Sequence, residues 1–287
     1  MTKTLNILER ILLIQKDITP KQKKLAVYIL DNYKKAAFLN STDLAKAANV
    51  SGSTVIRFAE LLDYSGFPEM QSALHNIVQL ELSALDMFSD PYEKEEPNDL
   101  HNIFQQGIDH IHKATKNISI ETFNESIKLI NRQNKVLIVG HQISTTLAEY
   151  TAYSLGKIRP NVFKLNNWNE SAFNILDSLT IEDVAIIYAF PRFPYQTYKI
   201  AKFLHSKHIP IIYITENGIN PISEFATISV PLRTKFAKYI DDLGPAMYLA
   251  RALILSVANT NRAQTALQLE HFEHHVKNLE IFCKQDT

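Results

Sequence analysis

The sequence predicts an all-α helix-turn-helix domain followed by an α/β three-layer domain with a mostly parallel five-stranded sheet. Three observations lead there. The apolar residues recur at helical spacing up to about residue 88, then change to short β-branched and aromatic runs separated by helix-length segments. A polar, acidic stretch with two prolines, Ser89 to Asp99, lies at the change. Charge is uneven: residues 1 to 57 hold ten Lys/Arg and four acids, a surplus of six, and the remainder carries the matching deficit, because the chain balances 30 bases against 30 acids. The expected domains are 1–88 and 100–287, joined by a linker at 89–99.

The helical elements follow from caps and stripes. Leu5, Leu8, Ile11 and Leu12 form a first apolar stripe. Thr19-Pro20-Lys21-Gln22 places a capping hydroxyl before proline at the first helical position and glutamine at the third, and Leu25, Ile29 and Tyr33 then share one face. Ser41 is expected to cap a short helix to Ala47, and Ser51 caps the next, to about Leu62. Phe67-Pro68 opens a long helix to about Phe88.

Beyond the linker, strands are expected at Lys135 to Val139, Asn161 to Leu165, Val184 to Phe190, Ile209 to Ile214 and Thr227 to Val230. Their near-continuous apolar character argues a parallel sheet covered on both faces. Between the first two, Leu147, Tyr150/Thr151, Ser154 and Ile158 make a helical stripe, and helices at about 245–258 and 263–282 follow the last strand.

With 287 residues and 46% hydrophobic residues the chain can bury a sizeable core. Its single cysteine, Cys283, excludes an internal disulfide framework and a Cys-based zinc cluster and fits a reducing cytoplasm. The first ten residues are charged and amphipathic, unlike a signal peptide, and no apolar run is long enough to span a bilayer. No cofactor is expected: a dinucleotide fingerprint and a Walker lysine motif are both missing.

Ser41 to Leu62 has the layout of a DNA-binding helix-turn-helix, with Asn49 in the turn as a residue that tolerates the left-handed conformation. On a helical wheel Val55, Phe58, Ala59 and Leu62 form the buried face, and Ser53, Arg57 and Glu60 point away from it. In a recognition helix Arg57 can pair bidentately with guanine, while Ser51, Ser53 and Thr54 reach phosphate or base edges. Ser41 belongs to the same surface, and Lys21, Lys23, Lys24 and Lys46 would hold phosphates. A plain helical pair with a solvated polar face is the alternative.

Val50-Ser-Gly-Ser-Thr-Val-Ile-Arg-Phe58 and Leu62-Asp-Tyr-Ser-Gly-Phe-Pro-Glu-Met-Gln71 resemble the N-terminal domain of RpiR-type bacterial transcriptional regulators over about residues 5 to 85, with Asp63 where the family usually has glycine. The resemblance implies a C-terminal SIS (sugar isomerase) domain, which residues 120 to 231 are similar to in strand order and spacing. It implies a double-stranded DNA operator, a homodimer or homotetramer, and a small effector such as a phosphosugar or other anionic metabolite.

Ligands of an open parallel sheet bind beyond the carboxyl ends of its strands. The residues expected there are Gly140, His141, Gln142 and Ser144 in the first loop, Arg192 and Tyr195 with Phe193 in the second, and Thr215 and Asn217 in the third. Free N–H groups at the first turn, with Ser144 and Thr145, can hold an anion. Gly140 and Ser144 match the family's Gly-x-Gly-x-Ser turn, with Gln142 at its second glycine. The family's Ser-x-Ser-Gly-x-Thr phosphate loop is replaced by Ala189-Phe-Pro-Arg-Phe-Pro194. Arg192 can pair with a ligand or make an interface salt bridge. Two other readings stay open: a phosphosugar isomerase using His141, Glu149 or Glu216, and a SIS domain that only dimerises. His271, His274 and His275 share a helical face but are read as a solvated or interface helix, with no metal.

Overall fold

The computed structural model describes residues 6–14, 18–37, 39–81, 88, 99–165, 170–217, 220–234 and 240–282. The chain divides into two compact units, Met1–Lys94 and Glu95–Thr287. The proposed linker lies outside the described residues except for Asp99, and Cys283 lies outside them too.

Among the described residues the first unit holds helices α1 (Ile7–Ile14), α2 (Pro20–Ala36), α3 (Ser41–Ala47), α4 (Gly52–Leu61) and α5 (Phe67–Glu81). Thr19 and Gln22 make the predicted reciprocal capping box at the start of α2. Leu25, Ile29, Leu44, Val55, Phe58, Met70 and Leu74 meet in one core. At α1 the predicted Ile11 is buried and Leu8 packs against the core, Ile7 joins them, and Leu12 is exposed; Leu5 lies outside the described residues. The cap of α3 is also corrected: Asn40 is the N-cap, its side-chain oxygen accepting from Asp43 N at 2.9 Å, and Ser41 is already the first helical residue.

Helices α3 and α4 end in the same way. Asn49 (φ 52°) and Asp63 (φ 64°) take the left-handed conformation, and the next N–H reaches back to Ala45 O (2.9 Å) or Ala59 O (3.1 Å). These are Schellman closures built without glycine. Arg10 adds to the second by donating from Nη1 to Leu62 O at 2.8 Å.

The second unit opens with two helices that the strand-and-helix reading did not supply, α6 (Leu100–Asn117), capped by Asp99, and α7 (Ile120–Arg132), capped by Ser119. The sheet follows: β1 (Val136–Gly140), β2 (Val162–Leu165), β3 (Val184–Tyr188), β4 (Ile211–Thr215) and β5 (Ile228–Pro231), all parallel in the order β2-β1-β3-β4-β5. Its connections contain α8 (Ser144–Gly156), α9 (Glu170–Asp177) and α10 (Tyr195–Ser206), and a single 3-10 turn at Ser223–Phe225 before β5; α11 (Gly244–Thr260) and α12 (Arg262–Asn278) come last.

Alternation along each strand separates two cores. Val136, Ile138, Ile186 and Ile214 pack with α7, α8 and α11, while Leu137, Val139, Ile187 and Tyr213 pack with α9 and α10. The three layers predicted are therefore present. The guanidinium of Arg159, behind α8, donates to the carbonyls of Ile130, Gln133 and Asn134 and so closes the C-terminus of α7.

Candidate functional site

Two surfaces carry the polar chemistry, one in each unit. In the first, α4 buries Val55, Phe58 and Ala59, with Leu62 just beyond it, and leaves Ser53, Arg57 and Glu60 exposed, as the wheel requires. Ser51 is bonded through its hydroxyl to Ser53 Oγ (2.9 Å), Thr54 Oγ1 (2.8 Å) and Thr54 N (3.3 Å). The three predicted hydroxyls are thus one network, anchored by the cap. Lys23 and Lys24 line a groove of about 520 Å³ with Val27, Ala48 and the turn residue Asn49. Lys21 does not line it, and Lys46 sits 3.7 Å from Asp43 on the exposed face of α3.

In the second unit the strand order creates a switch point. Strands β1 and β3 are neighbours, yet α8 leads from β1 outward to β2 and α10 leads from β3 the other way to β4. A crevice opens between such divergent connections at the strands' carboxyl ends. Gly140 closes β1 there because nothing larger fits: a Cβ would stand 2.3 Å from Ser144 O and 3.1 Å from the Ala148 Cβ. Gln142 (φ 55°) turns the chain, and Ser144 N and Thr145 N bond back to His141 O and Gln142 O at 3.2 and 3.0 Å. No side chain caps α8, so its first N–H groups are satisfied only by the turn.

His141 spans the switch point. Its Nδ1 lies 2.9 Å from Thr197 Oγ1 in the first turn of α10, and its Nε2 is buried without a partner among the described residues. Burial holds the imidazole below its ordinary pKa of 6.5, so it is neutral at pH 7. An orphaned buried nitrogen costs about 1 to 3 kcal/mol, and such atoms call for an explanation. Sequence reasoning missed Thr197, which only the placement of α10 brings to the first loop.

The second loop is reshaped around Arg192, which is exposed and has φ 62°. Pro191 and Pro194 flank it without backbone N–H groups. Tyr195 is exposed and stacks on Tyr198 with ring centroids 6.0 Å apart. In the third loop Thr215 is fully buried and Asn217 partly so. There Asn220 organises the chain, donating to Thr215 Oγ1 (3.4 Å) and Asn217 O (2.9 Å), while the Tyr213 hydroxyl lies 2.9 Å from its Oδ1. Glu216 is buried as well, and its carbonyl accepts from Arg233 N at 2.8 Å. On α12, His274 Nε2 is bonded by Asn278 Nδ2 at 2.9 Å.

Both units resemble known domains. Residues 5–81 match the helix-turn-helix domain of the rpiR family, and residues 129–257 match the SIS domain. An uncharacterized HTH-type transcriptional regulator of Haemophilus influenzae is 23% identical over 233 residues, 79% of each chain. The Escherichia coli regulator YfhH is 28% identical over 145 residues, 49% of this chain and 51% of its own. Among solved structures, Vibrio vulnificus NanR complexed with ManNAc-6P is similar with a TM-score of 0.60 at 18% identity, covering 96% of this chain and 99% of that one. The sugar isomerase domain of an RpiR transcription factor from Sphaerobacter thermophilus gives 0.57 at 14% identity, covering 61% of this chain and 97% of that one. At these identities the structures show a shared fold.

Arg192 occupies a backbone conformation suited to glycine, so Arg192→Gly should raise the unfolding free energy by about 0.5 to 1 kcal/mol, the left-handed strain less the added chain entropy. Denaturant melts of the two proteins measure it, and an unchanged or lower midpoint contradicts strain at this loop.

Proposed function

The chain carries an rpiR-family helix-turn-helix domain and a SIS domain, and from that pairing we propose that it is a DNA-binding transcriptional regulator whose second domain senses a small anionic or sugar-derived metabolite. The observation that carries the DNA reading is α4, a capped helix with its apolar face sealed in the core and Arg57 exposed opposite it. Lys23 and Lys24 beside the turn add positive charge where a phosphate backbone would run. The curated relatives are named as regulators of the same type.

For the effector, the loops at the carboxyl ends of the strands hold the buried, orphaned His141 nitrogen and the exposed Arg192, while the first N–H groups of α8 are already bonded to the turn. NanR was solved with a phosphosugar. Here the second loop presents Ala189, Pro191 and Pro194, which supply neither side-chain hydroxyls nor, at the prolines, N–H groups. A hydroxylated metabolite carrying a carboxylate matches these residues better than one carrying a phosphate, with Arg192 pairing the carboxylate and His141 a hydroxyl. Binding without turnover is the reading, supported by the attached helix-turn-helix domain and by relatives named as transcriptional regulators. The units are proposed to follow the expected boundaries, 1–88 and 100–287, and to function in the cytoplasm.

Self-association is supported by α6, whose Leu100, Ile103, Phe104 and Ile108 stay exposed along one stripe. A second copy covering them would present two recognition helices to a two-fold operator. Sedimentation of the full chain should show a dimer or tetramer, and a monomer at micromolar concentration contradicts this.

Arg57→Ala should weaken binding to a selected operator by about 1 to 3 kcal/mol without changing the melting profile. Unchanged affinity in a folded variant removes Arg57 from the interface. Calorimetry of the full chain against sugars, sugar acids and sugar phosphates should give saturable heat with a sugar acid, lost in Arg192→Ala. A preference for the phosphates refutes the carboxylate assignment, and uniform silence favours a dimerisation scaffold.

A further inference from the structure

Two large apolar side chains of α4 remain exposed, Ile56 at 47% and Leu61 at 45%. Isolated apolar residues on a surface are ordinary. What separates these two is where they stand on the helix. Leu61 is its last residue, whereas Ile56 lies in the second turn, in the half of a recognition helix that contacts base edges.

At about 100° per residue, Ile56 is displaced about 70° from the outward direction, on the side of Gly52 and Glu60 rather than of Leu61. A helical side chain leans back over the preceding turn, and for Ile56 that turn holds Gly52 and Ser53. A Cβ built on Gly52 would meet nothing within 4 Å, so the surface beside Ile56 is open. Its exposed neighbours on the helix surface are Ser53 and Glu60, and the next residue, Arg57, is exposed on the outward side. An apolar surface next to a guanidinium fork matches one feature of the major groove: the thymine C5-methyl is its sole apolar group, standing level with the guanine acceptors that arginine takes.

We infer that Ile56 packs on the C5-methyl of a thymine beside the guanine read by Arg57, and so fixes a second base of the operator half-site. This rests on α4 being the recognition helix.

The test begins by selecting, from a random duplex pool, the sites that the full chain prefers. Each thymine of the selected half-site is then replaced by deoxyuridine, which removes the methyl and keeps the base pairing. At one position per half-site the replacement should weaken the wild-type chain about fourfold, the worth of one buried methyl. It should leave Ile56→Ala unaffected, since that variant has already lost the contact and binds the thymine duplex more weakly than wild type. If no position matters to the wild type, or if the same position weakens both proteins equally, the role of Ile56 is overturned while DNA binding stands. If no duplex is enriched, the recognition-helix reading fails and takes this inference with it.

Discussion

The second unit depends on how closely α8 approaches the end of β1. Position 140 must lack a side chain, because the Ser144 carbonyl occupies the place of a Cβ. That contact lets the chain leave the sheet and enter a helix within four residues, bringing the N-terminus of α8 and the His141 ring to the carboxyl edge together. The strand order then decides what His141 meets. With β3 beside β1, the first turn of α10 is its neighbour, and Thr197 takes one ring nitrogen. A buried, half-satisfied imidazole at the carboxyl ends of the strands follows from one close packing contact and one topological choice.

Glycine is scarce, seven in the whole chain, and the structure shows how the backbone manages without it. Among the described residues eight non-glycine positions have positive φ. Four close helices: Asn49, Asp63, His208 and Glu280 each precede an N–H that reaches back to a carbonyl of the last turn. Asn and Asp bear this conformation at low cost, while His, Glu and Arg incur about 1 to 2 kcal/mol. Gln142 and Arg192 differ from the helix ends, since they stand in the loops that follow β1 and β3. Both stand where the resemblance places glycine, so the backbone path is retained while an amide and a guanidinium are added to it. Glycine would follow the same backbone path with less strain, so the fold requires neither side chain.

The central strands were legible because burial on both faces makes them short, near-continuous apolar runs, and the α4 wheel because burial of one face imposes a period of 3.6. The stripe of α8 was nearly right, with Leu155 buried where Ser154 was expected. Reading failed where two residues compete for one role, as when Asn40 displaced Ser41 at a cap. The helices α6 and α7 were missed although their apolar residues, such as Leu100, Ile103, Phe104 and Ile108, do recur at helical spacing. Thr197 was out of reach for a different reason. It belongs to the site through the neighbour relation of β1 and β3, and strand order is not written in any local spacing. Arg192 was visible by its type, but its left-handed backbone was not.

On the proposed function, the chemistry around His141 also limits how strongly a ligand could act on the helix-turn-helix unit. A ligand shifts an equilibrium between two arrangements only by the difference in its affinity for them. Supplying the missing partner of His141 is worth about 1 to 3 kcal/mol if only one arrangement presents that nitrogen. By the usual conversion this is roughly a 5- to 150-fold change in affinity. Driving a population from 1:99 to 99:1 takes about 5.5 kcal/mol, so His141 alone gives a graded response. A switch-like response requires the Arg192 pairing to differ between the arrangements as well. The prolines beside Arg192 bear on this, because they restrict the backbone of the loop that carries it and leave its side chain as the part free to move. The guanidinium, rather than the loop, is therefore where a second increment of coupling would arise.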